Sequence, residues 1–144
     1  MKKLIGLSIL FFAVFVGSMG FNIFMHELGH FAVAEAYDSN PEMHFMPDGV
    51  SVNAFYTADS KIAYVSYDSD TVDITQQDVK IAMAGPLVNL LLGSLGMLLY
   101  LSPKRSDLSK MLLILLIVPS YVSFVINIIP ISPSDGFYLF QYLV

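Results

Sequence analysis

The chain of 144 residues has no cysteine, no tryptophan and few charges. Without cysteine there are no disulfides and no thiolate metal sites. Without tryptophan, any aromatic belt at a membrane surface must come from the eight tyrosines and eleven phenylalanines. Only 13% of residues are charged, about half the share in soluble domains. No basic stripe marks a nucleic-acid surface, so no nucleic-acid partner is expected. What replaces the missing charge is apolar: 56% of residues are hydrophobic, and the mean hydropathy is +0.67. The length suits one domain, and the composition points to a multi-pass integral membrane protein, placed in the cell membrane with the bilayer as its solvent.

Three windows free of charge are long enough to cross a bilayer, which takes roughly 20 apolar residues. They run over 4–25, 81–103 and 111–134. Lys2-Lys3 before the first window resembles the start of a signal peptide, and Gly17, Ser18 and Gly20 could pass for a cleavage site. The run is too long for that, and its helical pattern continues through Phe31-Ala-Val-Ala. The expectation is one retained helix over 4–36, about 50 Å long, that tilts or protrudes.

Residues 37–80 carry most of the negative charge: eight acids against Lys61 and Lys80. Alternation over Gly49–Tyr56 and the run Ile62–Tyr67 predict two strands, with Pro47-Asp48-Gly49 and Thr57–Ser60 as turns. The expected fold class is therefore mainly α: a three-helix transmembrane core with a small antiparallel β insertion after the first helix, outside the hydrocarbon or at its edge. The second helix is expected over 81–103. The third segment is expected over 111–144, broken at 127–134. Lys104, Arg105 and Lys110 in the loop before the third window fall on the same side as Lys2-Lys3. Positive residues favour the cytoplasmic side, which puts the acidic segment opposite.

Against this apolar background the sequence His26-Glu27-Leu28-Gly29-His30 stands out. On a helix, positions i and i+4 share one face, so both imidazoles can reach one zinc ion, with Glu27 beside them as general base. Ionisable groups inside a membrane are expensive, at roughly 2.5–3.5 kcal/mol each on insertion scales. Three within five residues need a strong partner, and a metal is the simplest.

A catalytic zinc takes three protein ligands and keeps one position open. His44, Asp48 and Asp135 are the candidates for the third. His44 and Asp48 lie in the polar segment, where Asp48-Gly49 already reads as a turn. Asp135 is the only acid after Asp107 and is flanked by apolar sequence. A carboxylate there is costly unless it binds something, so Asp135 is the choice over a plain helix cap. Just before it, Pro130 and Pro133 break the third helix. Unwound backbone at membrane depth must be buried or line a polar cavity.

With these residues in view, the chain resembles the site-2 protease family of intramembrane zinc metalloproteases. HELGH at 26–30 matches that family's H-E-x-x-H. AGPLVN at 84–89 is similar to its G-P-x-x-N segment, and NIIPISPSDG at 127–136 to its N-x-x-P-x-x-x-x-D-G segment. The resemblance implies zinc held by His26, His30 and Asp135, with Glu27 as the base. It implies that Asn127 lies beside the scissile peptide of a transmembrane protein substrate, and that Asn89 organises a loop or strand beside the cleft. It implies too that the β segment presents an edge to an extended peptide.

The expected activity is zinc endopeptidase action on peptide bonds within or near transmembrane segments. The alternative of the same fold is an inactive zinc-binding or partner-binding membrane protein. A further rival is a membrane-anchored interaction protein that works through its acidic segment.

Overall fold

A computed structural model describes residues 2–45, 62–69, 74–131 and 134–144. Among them run helix α1 (Lys2–Glu35), strands β1 (Glu42–Phe45) and β2 (Ala63–Ser66), and helices α2 (Gln76–Tyr100), α3 (Asp107–Ile128) and α4 (Asp135–Leu143). Three of these, α1, α2 and α3, are long and apolar enough to cross a membrane. The mainly helical class and the small antiparallel sheet agree with the expectation. The predicted strand over 49–56 and Asp48 lie outside the described residues.

The packing is apolar outside and polar inside. Phe12, Leu91 and Leu98 are about two-thirds exposed, while Asn89 and Ser120 are fully buried. In water this would be a fold turned inside out; in lipid the exposed side chains meet a solvent as apolar as themselves. Within a bilayer, where no hydrophobic drive acts between helices, close approach and hydrogen bonds would hold them together. One such set joins α1 to α3. Ser120 Oγ donates to Asn22 Oδ1 (2.6 Å), Asn22 Nδ2 to the Ser18 carbonyl (2.9 Å), and Ser18 Oγ to the Leu115 carbonyl (2.7 Å). Ser18 pairs with Leu115 and Asn22 with Ser120, so α1 and α3 run parallel. The 101–106 connection then returns α2 antiparallel between them, and α2 packs against α1, α3 and α4. The basic loop and the N-terminus of α1 thus lie toward the same end of the bundle.

Helix α2 starts at Gln76, earlier than the charge-free window at 81 suggests. The cause is a capping box. Thr75 Oγ accepts from the Asp78 amide (3.2 Å), and Asp78 Oδ2 accepts from the Thr75 amide (2.8 Å). Asp78 at the helix N-terminus also meets the positive end of the dipole. The helix runs through Pro86 without ending.

At the other end, α3 continues through Asn127 to Ile128, two residues into the expected break at 127–134. Ile129 is extended (φ −66°, ψ 132°), as a residue before proline prefers. Ser134 caps α4, so Asp135 is its first helical residue rather than the cap.

β2 falls within the predicted 62–67 and pairs with β1, a strand that the sequence did not suggest, with Met43 opposite Val65 and His44 opposite Tyr64. The sheet folds back along α1, where the Phe45 ring stacks on Phe24 at 6.1 Å. This brings β2 level with the turn of α1 that carries His26. Two residues in the connection, Asp38 (φ 55°) and Asn40 (φ 44°), adopt left-handed backbone, which Asp and Asn tolerate better than most. Ser39 helps to tie the turn to α2 by accepting at Oγ from Gln77 Nε2 (2.7 Å).

Candidate metal centre

His26 and His30 lie one turn apart on the buried face of α1, as their spacing requires. Asp135 reaches the same point from the start of α4, more than a hundred residues later. His26 Nε2 and His30 Nε2 are 3.1 Å apart. Asp135 Oδ2 lies 3.0 Å from His26 Nε2, and Oδ1 lies 3.5 Å from His30 Nε2. All three residues offer a ligand atom within 4.8 Å of one another. This buried group could hold a metal ion.

Several details fit a metal better than a plain ion pair. Asp135 Oδ2 is buried and makes no well-directed hydrogen bond, although His26 is close. An orphaned buried carboxylate oxygen is expensive and needs a cation. On His30 the remote nitrogen is occupied: Nδ1 lies 2.6 Å from the Ile81 carbonyl. A carbonyl can only accept, so a hydrogen sits on Nδ1, and Nε2 is the nitrogen left to offer a lone pair to a metal. Pro86 has no N–H for the Ala82 carbonyl four residues earlier, and on that same turn the Ile81 carbonyl serves His30.

Two glycines make room. A Cβ on Gly85 would land on the His30 imidazole and 2.8 Å from His26 Cε1, so α2 can pass this close to both rings only without a side chain. A Cβ on Gly136 would strike the Ile128 carbonyl, so Gly136 lets α4 turn back tightly against the end of α3 and present Asp135. Ser134 Oγ donates to the Ile129 carbonyl and closes the same turn.

Glu27 is buried and shares a cavity of about 430 Å³ with the three ligands. Ser123, Asn127 and Tyr138 line it from α3 and α4, and Ala63, Tyr64 and Val65 from β2. Asn127 Nδ2 donates to the Ser123 carbonyl (3.0 Å) and to Ser123 Oγ (3.3 Å). Tyr67 also lines the cavity, and its Oη donates to Asp78 Oδ1 (3.0 Å). Burial first, and then that carboxylate, push the Tyr67 phenol up from its ordinary value.

The sequence-derived residues therefore divide. His26, Glu27, His30, Asp135 and Asn127 share one cavity. Asn89, expected to organise a loop or strand, contacts neither among the described residues. It is fully buried on α2 with Nδ2 3.0 Å from His26 Nδ1, and it donates to Ser123 Oγ at 2.6 Å. His44, the rejected ligand, sits half-buried on β1, 2.8 Å from Ser66 Oγ. Ser123 was not foreseen. A serine in an apolar helix is common and carries no distance signal; only its spacing of four before Asn127 hinted at a shared face.

Comparison with known proteins returns no match to a family model, to a curated protein or to a solved structure.

Proposed function

We propose that the chain is an intramembrane zinc endopeptidase that cleaves peptide bonds within or near transmembrane segments of other membrane proteins, in the manner of the site-2 protease family it resembles. One observation carries the reading. Two motifs from opposite ends of the sequence, HELGH and SDG, converge on one buried His₂Asp group with Glu27 on the wall of the same cavity. The donor set of two imidazoles and one carboxylate is one that catalytic zinc uses.

Bound zinc supplies a Lewis acid that polarises a carbonyl and makes water acidic enough to deprotonate near neutral pH. His26, His30 and Asp135 hold it. Glu27 takes a proton from the attacking water as its oxygen bonds to the scissile carbonyl carbon. As the C–N bond breaks, Glu27 returns that proton to the leaving amine nitrogen.

The substrate must arrive unwound, because a helical peptide bond is already hydrogen-bonded and sterically covered. β2 is the element placed to receive it. It lines the cavity, pairs with β1 on one edge and has no strand on the other among the described residues. An extended peptide can add there by main-chain hydrogen bonds. Asn127, on the facing wall, is placed to touch the peptide backbone. Three helices long and apolar enough to cross a membrane support a multi-pass protein of the cell membrane, and the positive-inside preference supports the basic loop on the cytoplasmic side.

The test is cleavage of a single-pass reporter substrate in proteoliposomes by the wild type and by Glu27→Gln, with zinc content measured on both. Loss of cleavage with zinc retained supports the reading. Equal cleavage by the two proteins contradicts it, and a zinc-loaded wild type that cleaves no membrane substrate favours the inactive binder.

A further inference from the structure

Asn89 holds a buried polar group that its neighbours leave half satisfied. Its nitrogen serves both contacts, 3.0 Å from His26 Nδ1 and 2.6 Å from Ser123 Oγ. Its oxygen is buried with no hydrogen-bond partner. Two considerations favour the opposite arrangement once a metal is bound. A length of 2.6 Å is short for N–H···O and ordinary for O–H···O. And a histidine that gives Nε2 to a metal carries its hydrogen on Nδ1, which then needs an acceptor. Nitrogen Nδ2 cannot accept. A half-turn of the carboxamide leaves its shape unchanged and puts Oδ1 where the acceptor is required.

We propose that Asn89 is a positioning residue of the metal centre: with His26 on the metal, Asn89 Oδ1 accepts from His26 Nδ1–H and from the Ser123 hydroxyl, and holds the His26 ring in its ligating tautomer and plane. The rest of the network is consistent with this direction. Ser123 Oγ, having donated, keeps a lone pair for Asn127 Nδ2 at 3.3 Å. A continuous chain of hydrogen bonds then runs from the cavity wall through Ser123 and Asn89 to His26. One end of the amide lacks a partner in both orientations, so the choice falls to the end that faces His26, where the metal demands an acceptor.

The two histidines are thereby held differently. His30 is served by the Ile81 backbone carbonyl, which no substitution removes. His26 is served by a side chain that can be exchanged.

This assignment rests on the metal reading of the site. It is tested by zinc affinity, measured by chelator competition on the full chain in detergent for the wild type, Asn89→Leu and Asn89→Asp. Leucine keeps the volume and removes the acceptor; aspartate keeps both the shape and an acceptor. The expected loss in Asn89→Leu is about 10–100-fold, the range for removing such a partner, with Asn89→Asp close to wild type. Nitrogen NMR of labelled histidine should show His26 protonated at Nδ1 in zinc-loaded wild type and Asn89→Asp. A packing role alone predicts the reverse order, because a buried carboxylate disturbs packing at least as much as leucine.

Asn89→Leu binding zinc as tightly as wild type overturns the assignment, as does Asn89→Asp binding as weakly as Asn89→Leu. If Asn89→Leu does not fold, Asn89→Ala is read by the same criterion. A wild type that takes up no zinc refutes the metal centre itself, and this assignment with it. That result is distinct from equal loading of all variants.

Discussion

Gly85→Ala places a single methyl group between α2 and the two imidazoles. The added carbon would overlap the His30 ring and sit 2.8 Å from His26 Cε1, where ordinary contact begins near 3.4 Å. Either ring must therefore retreat, His26 by at least ~0.6 Å. A metal site tolerates about 0.2 Å in its ligand distances, so the shift is roughly threefold too large. Rotating the rings away is no escape, because His30 would leave the Ile81 carbonyl and His26 would leave Asn89. The expected loss in zinc affinity is at least about a hundredfold, or ~2.7 kcal/mol. Chelator competition in detergent reads it directly. Gly93→Ala is the control: its Cβ meets the Tyr121 ring at 3.2 Å, a closeness a side chain can relieve, and it lies off the site. Wild-type zinc affinity in Gly85→Ala would refute the close approach of α2 to both ligands.

Other predictions concern the frame. Ser120→Ala leaves Asn22 Oδ1 buried without its donor and should lower stability by about 1 kcal/mol; an unchanged thermal midpoint in detergent would argue against the α1–α3 clamp. Thr75→Val removes the capping-box hydroxyl of α2 and should cost about 1 kcal/mol, read as the same kind of shift. Because the Tyr67 phenol is pushed up, the folded chain holds this proton at pH values where the unfolded chain releases it. Its contribution is full below the ordinary tyrosine range near 10 and is lost as pH rises above it. Tyr67→Phe should therefore show a shallower alkaline loss of stability than wild type, and identical alkaline limbs would contradict that placement of the proton.

Much of the candidate site was legible because the membrane makes polar residues conspicuous. His26, Glu27 and His30 interrupt an apolar helix at a spacing that aims both rings one way. Asp135 is a lone carboxylate in greasy sequence behind two prolines. Both signals depend on local cost, which sequence displays.

Asn89 and Ser123 gave no such signal. An amide or hydroxyl in a membrane helix usually bonds a neighbouring helix, and nothing local distinguishes a neighbour that ligates a metal. The start of α2 was missed because Asp78 and Lys80 carry charge, although Thr75 and Asp78 hold the capping spacing that sets the boundary. Strand β1 was not foreseen because Glu42–Phe45 alternates over only four residues. Its pairing depends on where the chain folds back on α1, a tertiary fact. The glycines at 85 and 136 entered the sequence reading only as members of the AGPLVN and NIIPISPSDG motifs. Only the packed helices reveal that each clears a path to a candidate ligand.

The most direct test of the account is the metal content of the purified wild type beside His26→Ala and Asp135→Ala. The account predicts about one zinc per chain in the wild type, lost or greatly reduced in both variants, although their sites lie at opposite ends of the sequence. Wild type that holds no zinc after careful reconstitution, or Asp135→Ala that holds it as firmly as wild type, would contradict the account.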